Sequence, residues 1–294
     1  MDQGVRGLLL GGQASAIVIK ATDLVEDARR IHGLWPVTCA ALGRALMAGS
    51  MMGTALKDEE GRLTLAFKGD GPAGSLVVAA WHDGTVKGYL DQPQVDLPLR
   101  DDGKLDVGGA VGREGRVTVI RRQGYGEPYV GQTELQNGEI AEDLAYYYAA
   151  SEQQPTLLAL GVLIAPDGSV RSAGGAMIQP LPGCGEEALA ELEGLAPCLA
   201  GIAERMEPFP DAEAAFQALF AGLDPAPLST WQPRFQCDCS RQRMEQALVS
   251  LGEVELHSLA QEGRAELVCH FCNAAYTFDA RQLWELYRSA GGKA

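Results

Sequence analysis

Basic side chains are scarce in this chain of 294 residues: 24 Lys and Arg face 39 Asp and Glu, and the formal net charge is −15. A protein that binds duplex nucleic acid needs basic surface to displace counterions from the phosphates. A strongly acidic protein also repels anionic membrane surfaces. The composition therefore argues against nucleic acid and membranes as partners.

Long uninterrupted hydrophobic runs are also missing. The N-terminus is not typical of a secretory signal, because it carries Asp2 and because Gly11 and Gly12 interrupt its apolar run. Residues 36–56 have the length of a membrane span, but they contain Arg44 and are rich in Ala, Gly and Met, which insert poorly. A buried core helix is the better interpretation. With no export signal, we expect a cytoplasmic protein.

Signatures of catalysis are missing as well. The glycine-rich stretch GDGPAG at residues 69–74 lacks the Gly-Lys-Ser/Thr ending of a phosphate-binding loop, so it predicts a turn. No His–Ser–Asp arrangement or pair of carboxylates can be inferred from residue spacing. We therefore expect no catalytic residues and no enzymatic activity.

What the first part of the sequence does contain is strand and helix patterning. LTLAFKG at residues 63–69 alternates apolar and other residues, and GRVTVIRR predicts a further strand. Two longer stretches predict hairpins that turn at Asp-Gly pairs, residues 83–84 and 167–168. NGEIAEDLAYYYAASEQ has the apolar spacing of a helix instead. Hairpins favour antiparallel sheets, so residues 1–180 predict an α+β domain with packed helices.

The composition changes near residue 181. Residues 181–224 contain nine acidic residues and one base, which gives this segment a net charge of −8. Pro and Gly break it into short helical fragments, and such helices are marginally stable in isolation. The segment must therefore draw stability from whatever it packs against. We interpret residues 181–231 as an acidic helical linker that is either solvated or poised to unfold.

Cysteine is rare, yet four of the seven cysteines form two close pairs near the C-terminus. Cys237 and Cys239 are separated by one residue, Cys269 and Cys272 by two, and 29 residues lie between the pairs. Two thiol pairs brought together by an intervening hairpin or helix pair form a tetrahedral cage that suits zinc. Such a closed site leaves no position for a catalytic water. We therefore predict that residues 232–294 are a small domain stapled by one zinc ion on four thiolates.

Other interpretations of the thiols remain open. The C-x-C pair is tighter than the usual zinc spacing, but iron–sulfur spacings are not met either. Haem attachment needs a His directly after the second Cys, where Asn273 stands. A thioredoxin-like site needs a strand–helix context that LVCHFCNAAYTFD does not provide. His257 and His270 could ligate, although four thiols already fill a tetrahedral site. An inert structural zinc site is the main competing hypothesis.

The thiols could also make the zinc site responsive to oxidants. Zinc holds its sulfurs as thiolates, the form that oxidants attack, provided that the site can be reached. A structural zinc ion contributes folding free energy on the order of 10 kcal/mol to a small module. Disulfides that close very short loops would replace little of this stabilisation. Loss of zinc should therefore unfold the module and any marginal segment docked on it.

Two groups of residues resemble the heat-shock protein 33 family. FQCDCS with CHFCNAAYTF resembles the redox module of that family, and AEDLAYYYAASEQQPT followed by LGVLI resembles a characteristic stretch of its N-terminal domain. The match covers essentially the whole chain and its three-part layout. The order of the motifs is highly specific.

The resemblance implies an ATP-independent holdase chaperone that is inactive when reduced and zinc-bound. Oxidation would join Cys237 to Cys239 and Cys269 to Cys272, release zinc and unfold the linker. The oxidised form would be a homodimer that captures unfolding proteins on newly exposed apolar surface during oxidative stress. A thiol–disulfide oxidoreductase and a static zinc-ribbon binding module are the alternatives from other classes.

Six further residues fit core positions. Cys39, Cys184 and Cys198 match no motif, and we expect buried small side chains, with Cys184 and Cys198 the more accessible of the three. Methionine-rich surfaces can adapt to many partners. We nevertheless expect the three methionines of the long apolar helix to pack in the core, namely Met47, Met51 and Met52.

Overall fold

The apolar stretch that begins at Pro36 forms a helix that is buried along almost its whole length. In the computed structural model, which describes residues 1–124 and 126–290, this helix, α2, spans Pro36–Gly53. Pro36 lies in the first turn, where its missing N–H removes no intrahelical hydrogen bond. The prediction of a core helix is confirmed, and so is the burial of its three methionines. None of the described helices is long and apolar enough to cross a membrane.

Two sheets pack on α2 and make this part of the chain α+β, as predicted. The first has five antiparallel strands in the order β10 (Ala226–Trp231), β1 (Gln3–Leu9), β2 (Ala14–Lys20), β9 (Val170–Pro180) and β8 (Leu157–Ile164). The second has six strands, in the order β11 (Arg234–Phe235), β5 (Thr85–Leu90), β4 (Ser75–Trp81), β3 (Arg62–Gly69), β6 (Gly115–Arg122) and β7 (Tyr129–Glu134). Its strands are antiparallel except that β11 pairs with β5 in parallel.

The hairpins predicted at the two Asp-Gly pairs are present, as β4–β5 and β8–β9. Gly84 and Gly168 both have positive φ, the backbone region that Gly enters without steric cost. Residues 69–74 form the predicted turn between β3 and β4. The remaining helices here are α1 (Thr22–His32), α3 (Val107–Val111) and α4 (Ala141–Ser151), and α4 is the helix predicted from NGEIAEDLAYYYAASEQ.

The acidic segment forms four short helices that cover the outer face of the first sheet. They are α5 (Glu186–Glu193), α6 (Ala196–Leu199), α7 (Ile202–Met206) and α8 (Ala212–Leu219). Alternation along β2 explains how one sheet packs on both sides: Val18 contacts the core of these helices, whereas Ile17 and Ile19 contact the core around α2. The sheet is therefore buried between two helical layers.

Buried side chains and polar contacts both hold the acidic segment in place. Phe216 and Phe220 are fully buried, with ring centroids 5.1 Å apart. Four polar contacts join the segment to the sheet. Lys20 Nζ donates to the Phe209 carbonyl, and Ser172 Oγ donates to the Ala203 carbonyl at 2.7 Å. Arg171 forms an ion pair with Glu207 at 2.6 Å, and the Ala212 N–H donates to Gln3 Oε1 at 3.1 Å. The expectation that the segment draws stability from packing is confirmed.

The remaining residues form a second unit with a core of its own. The chain divides into residues 1–236 and 237–294. The second unit contains α9 (Arg241–Ser250), α10 (Glu253–Glu262), the hairpin β12 (Arg264–Val268) and β13 (Ala275–Asp279), and α11 (Ala280–Ser289). Its small core consists of Leu248, Leu256, Ala260, Ala265, Phe278, Leu283 and Tyr287. The three-part division at residues 181 and 232 stays a prediction.

Candidate metal centre

The second cysteine pair lies in the tight turn that joins β12 to β13. The Cys269 N–H donates to the Ala274 carbonyl at 2.9 Å, and the Asn273 N–H donates to the Cys269 carbonyl at 2.8 Å. Asn273 has φ of 57°, a left-handed conformation that Asn adopts more easily than most residues. This turn folds the chain back at Cys272, so that both thiols of the pair lie on the same side of it.

The first pair lies directly before α9. Only Asp238 separates the two cysteines, so their side chains start from nearly consecutive backbone positions and both sulfurs reach the same cluster. Ser240 caps α9, since its hydroxyl accepts from the Arg243 N–H at 3.3 Å. Arg243 also forms an ion pair with Asp238, the residue between the two cysteines.

The fold brings the two pairs together. All four sulfur atoms lie within 4.8 Å of one another, with Cys237 Sγ 3.7 Å from Cys269 Sγ and Cys239 Sγ 3.4 Å from Cys272 Sγ. Zinc–sulfur bonds of about 2.3 Å in a tetrahedron place neighbouring sulfurs about 3.8 Å apart. The donor set and its spacing therefore fit a single tetrahedral metal ion. Cys269 is buried, and the other three cysteines are half-buried.

The local environment affects the four thiols unequally. Burial is the main cause that raises the pKa of Cys237 and of Cys272. At Cys239 burial acts in the same direction, but hydrogen bonds from Tyr276 and from the neighbouring thiols outweigh it and lower the pKa. The hydrogen bond to Cys239, over 3.2 Å, in turn raises the pKa of Tyr276 to about 12. Cys239 is thus the sulfur whose thiolate the surrounding groups favour.

Outside the sulfur cluster, Arg241 of α9 makes polar contacts with the hairpin and with α11. Arg241 donates to the Thr277 carbonyl at 3.0 Å and to Gln282 Oε1 at 2.9 Å, and its guanidinium lies 4.3 Å from the centre of the Phe278 ring. These contacts are exposed, and exposed pairs contribute little. Because the core of the unit is also small, a bound metal would be a major link between the two halves of the module.

The other predicted residues lie away from the sulfurs or are not needed there. The His257 ring packs 5.4 Å from Trp284 and 5.1 Å from Tyr287, and neither His257 nor His270 belongs to the group of four ligands. Burial is confirmed for Cys39 and raises its pKa to about 12, which keeps this thiol protonated.

The expectation of burial is wrong for Cys198, which is exposed, and holds only in part for the half-buried Cys184. Both cysteines belong to the acidic segment. Its helices bury only the side that faces the sheet, and the opposite side is exposed to solvent. The order of accessibility expected from the sequence is nevertheless confirmed.

Tyr276 is a site residue that the sequence analysis missed. Its hydroxyl lies 3.2 Å from Cys239 Sγ. A signal for its inward position was present: in AYTFD, Tyr276 and Phe278 are two residues apart and share one face of β13. Because tyrosine is not a preferred zinc ligand, a search for ligands alone passes over it.

Comparison with known proteins shows the family to which the chain belongs. The family model described as Hsp33 protein matches residues 2–279. The 33 kDa chaperonin of Thermoanaerobacter sp. (strain X514) is 43% identical over 290 residues, covering 98% of this chain and 99% of the relative. The 33 kDa chaperonin of Clostridium botulinum (strain 657 / Type Ba4) is 42% identical over 299 residues, covering 98% of both chains.

The same family is found among solved structures. The crystal structure of the 33 kDa chaperonin (heat shock protein 33 homolog) from Thermotoga maritima matches with a TM-score of 0.87 and 33% identity over 98% of each chain. The relatives are named as chaperonins and not as enzymes, in agreement with the expectation from the sequence. The chain belongs to the Hsp33 family.

Proposed function

We propose that this protein is a redox-regulated holdase chaperone whose switch is a zinc ion bound by Cys237, Cys239, Cys269 and Cys272. The observation that carries the proposal is the convergence of these four sulfurs within 4.8 Å in a module with little other support. Four sulfur ligands in a closed site suit zinc and leave no place for a hydrolytic water. When bound, zinc holds the thiols as thiolates and stabilises the folded module.

The switching step is oxidation of the thiolates by a strong oxidant such as a peroxide or hypochlorous acid. Each new disulfide, Cys237–Cys239 and Cys269–Cys272, forms as two thiolates give up two electrons to the oxidant, and zinc leaves as its ligands are consumed. The short loops closed by these disulfides stabilise the module little in return. The module therefore unfolds.

Unfolding of the module then propagates into the acidic segment at residues 181–231. Its helices have eight residues or fewer, which is too short for independent stability. As the segment leaves, the apolar outer face of the first sheet becomes free to bind unfolding proteins, with Val5, Leu9 and Val18 among its residues. Large exposed apolar patches of this kind bind other proteins.

Three further features belong to the proposal. The oxidised protein forms a homodimer, because newly exposed apolar surface also favours self-association. Its partners are unfolded or oxidatively damaged proteins in the cytoplasm, since reduced thiols persist in that compartment until an oxidative stress. The net charge of −15 disfavours nucleic acid and anionic membranes as partners.

The proposal is tested by following aggregation of a chemically unfolded client protein by light scattering. Reduced and oxidised forms are compared while a chromophoric chelator reports zinc release. We expect oxidation to release about one zinc ion per chain and to suppress aggregation, whereas the reduced protein does neither. Zinc release without suppression would exclude the chaperone function.

A variant with Cys39, Cys184 and Cys198 replaced by Ser is the matched control. It keeps the four clustered thiols, so it should switch like the unaltered protein. If the control fails to switch, the relevant thiols lie outside the cluster.

One observation favours a second candidate function, a thiol–disulfide oxidoreductase. Cys239 directly precedes the capped start of α9 and has a lowered pKa, and both features promote thiolate reactivity. An oxidoreductase would turn over a small disulfide substrate many times with added dithiol. A holdase consumes its thiols once per activation, so multiple turnover would support the second candidate.

A further inference from the structure

The segment 226–236, which we call the strap, lies along one edge of each sheet in the first unit. Its first part is β10, the edge strand beside β1, and its last part is β11, the edge strand beside β5. The Gln236 N–H extends the second pairing by donating to the Val86 carbonyl at 2.9 Å. An unpaired sheet edge is a template for any extended chain, so the strap occupies two such templates at once.

The strap contacts these edges mainly through its backbone. β10 pairs with β1 from Gly4 opposite Trp231 to Leu8 opposite Ala226, with a register shift between Arg6 and Gly7. Most side chains of the strand point to solvent, and Leu228 is 64% exposed. Binding through an extended backbone depends little on sequence, which is how strand addition accepts many different peptides.

Trp231 is the main exception, because its side chain fills a socket shaped for an aromatic ring. An ideal Cβ at Gly4 would lie 2.1 Å from the Trp231 ring, and one at Gly84 would lie 2.2 Å from it. Any other residue at either position would therefore overlap the ring. The socket exists because both walls lack a side chain.

The socket also has a polar end. Trp231 Nε1 donates to Ser50 Oγ at 3.1 Å, and Ser50 Oγ donates to the Gly84 carbonyl at 2.7 Å. Ser50 is fully buried within α2, whereas Trp231 is half-buried, so this chain of hydrogen bonds is partly sheltered from water. Buried tryptophan N–H groups need such a partner. Phe235, four residues further on, packs against the same core from the other end of the strap.

We propose that the edges of β1 and β5 that the strap covers, with the socket between them, form a site for an extended polypeptide segment that carries an aromatic side chain. The strap is the resident occupant of this site. The inference rests on the proposed function for its second step: once the acidic segment leaves, the strap leaves with it and an unfolded client segment takes its place. The client is then held by backbone pairing and by one aromatic anchor.

The site is tested first in the reduced full-length protein, where redox switching plays no part. Trp231→Gly empties the socket and removes the main side-chain anchor of the resident strap. A fluorescein-labelled peptide of residues 226–236 is added, and its competition with the weakened strap is followed by fluorescence anisotropy. The matched control peptide carries Gly at the Trp position. We expect the Trp peptide to bind the variant at least about tenfold more tightly than the Gly peptide, because a central tryptophan is typically a binding hot spot.

Two reduced reference proteins should not bind the labelled peptide: the unaltered chain, whose strap is in place, and Leu228→Ala, which alters only an exposed side chain of the strap. Equal affinity of the two peptides for Trp231→Gly, or no binding of either, would overturn the socket. If Trp231→Gly fails to fold, the oxidised unaltered protein serves for the same comparison of peptides.

The client step is tested with the oxidised unaltered protein. Unlabelled Trp peptide at saturation should restore aggregation of the client, whereas the Gly peptide should not. If oxidised protein suppresses aggregation and the Trp peptide has no effect, the strap site is not the client site, although the proposed function stands. If oxidised protein does not suppress aggregation at all, the proposed function fails, while the peptide result in the reduced variant still decides the socket.

Discussion

Asp2 is a carboxyl group that the fold buries beside the start of α1. Its oxygens accept from the Leu24 N–H at 2.6 Å and the Asp23 N–H at 3.0 Å, so they partner two N–H groups that have no partner inside the helix. Burial nevertheless raises the pKa of Asp2 to about 6, from an ordinary value of 3.8, because the charged form loses its water. The folded protein therefore holds this proton more tightly than the unfolded chain.

This shift predicts a pH-dependent effect of Asp2→Asn. Between about pH 4 and pH 6 the folded chain binds the Asp2 proton and the unfolded chain does not. The contribution of Asp2 to the free energy of unfolding therefore decreases as the pH rises through this range. Removing the group should make the slope of unfolding free energy against pH more positive by up to about 1.4 kcal/mol per pH unit. Urea unfolding at several pH values measures the slope. Parallel curves for the two proteins would contradict the prediction.

Cys269 is the buried member of the sulfur cluster, and its replacement should remove the metal. We expect Cys269→Ser to lose zinc and to leave the module disordered even in reductant, because a structural zinc ion contributes on the order of 10 kcal/mol to folding. Zinc content and the dispersion of NMR amide signals measure the two effects.

Cys198→Ser is the matched control, since Cys198 is exposed and lies outside the cluster. It should keep its zinc and a folded module. Full zinc occupancy in Cys269→Ser would show that the ligand assignment is wrong.

A few large side chains hold the helices of the acidic segment on the sheet by packing against its surface. Phe216 of α8 is fully buried and also lies next to Gly7 of β1, where a Cβ would come within 2.7 Å of its ring. The absence of a side chain at Gly7 lets the helix approach the sheet closely. A short helix is therefore held by complementarity with the strand beneath it.

We expect Phe216→Ala to loosen the acidic segment. Deletion of a buried Phe side chain costs about 3–5 kcal/mol, which exceeds what an eight-residue helix can supply alone. Limited proteolysis and hydrogen exchange should show faster cleavage and exchange in residues 181–224. Gln217→Ala changes an exposed position of the same helix and should leave both rates as they are. Equal rates in the two variants would contradict this role of Phe216.

The elements differ in how well the sequence predicts them. Hairpins with an Asp-Gly turn and the helix at 141–151 follow from local turn chemistry and apolar spacing. The local pattern does not predict β1 and β2, because β2 is buried on both faces and its apolar residues do not alternate with polar ones. β10 was not predicted either: its side chains are mostly exposed and its partner strand lies more than 200 residues earlier in the chain, a contact that no local pattern encodes.

The molecule as a whole consists of two units with separate cores, residues 1–236 and 237–294. The first unit contains two sheets and the buried α2, whereas the part of the second unit that the structure describes has seven core residues. Small cores of this kind rarely supply more than about 3–5 kcal/mol. The two units should therefore differ greatly in their dependence on metal.

Removal of zinc by a strong chelator in reductant tests this difference. We expect amide exchange in residues 237–290 to accelerate by orders of magnitude, because without zinc the free energy of opening of this unit would be close to zero. Amides of β3, β4 and α2 should keep their slow exchange, because their core contains no metal ligand. Exchange mass spectrometry resolves the two regions. Unchanged exchange in the second unit would show that its core alone suffices for folding.

The sequence by itself determined the α+β class, the buried central helix, the hairpin turns and the four sulfurs that converge, because each depends on side-chain chemistry or spacing within a short stretch. Tertiary structure alone decided that the acidic segment covers the sheet, that Tyr276 lies against Cys239 and that Trp231 fills a socket between two glycines. Each of these contacts joins residues far apart in the chain or lacks a local periodicity. Packing complementarity between distant residues is set by the whole fold and not by any single stretch.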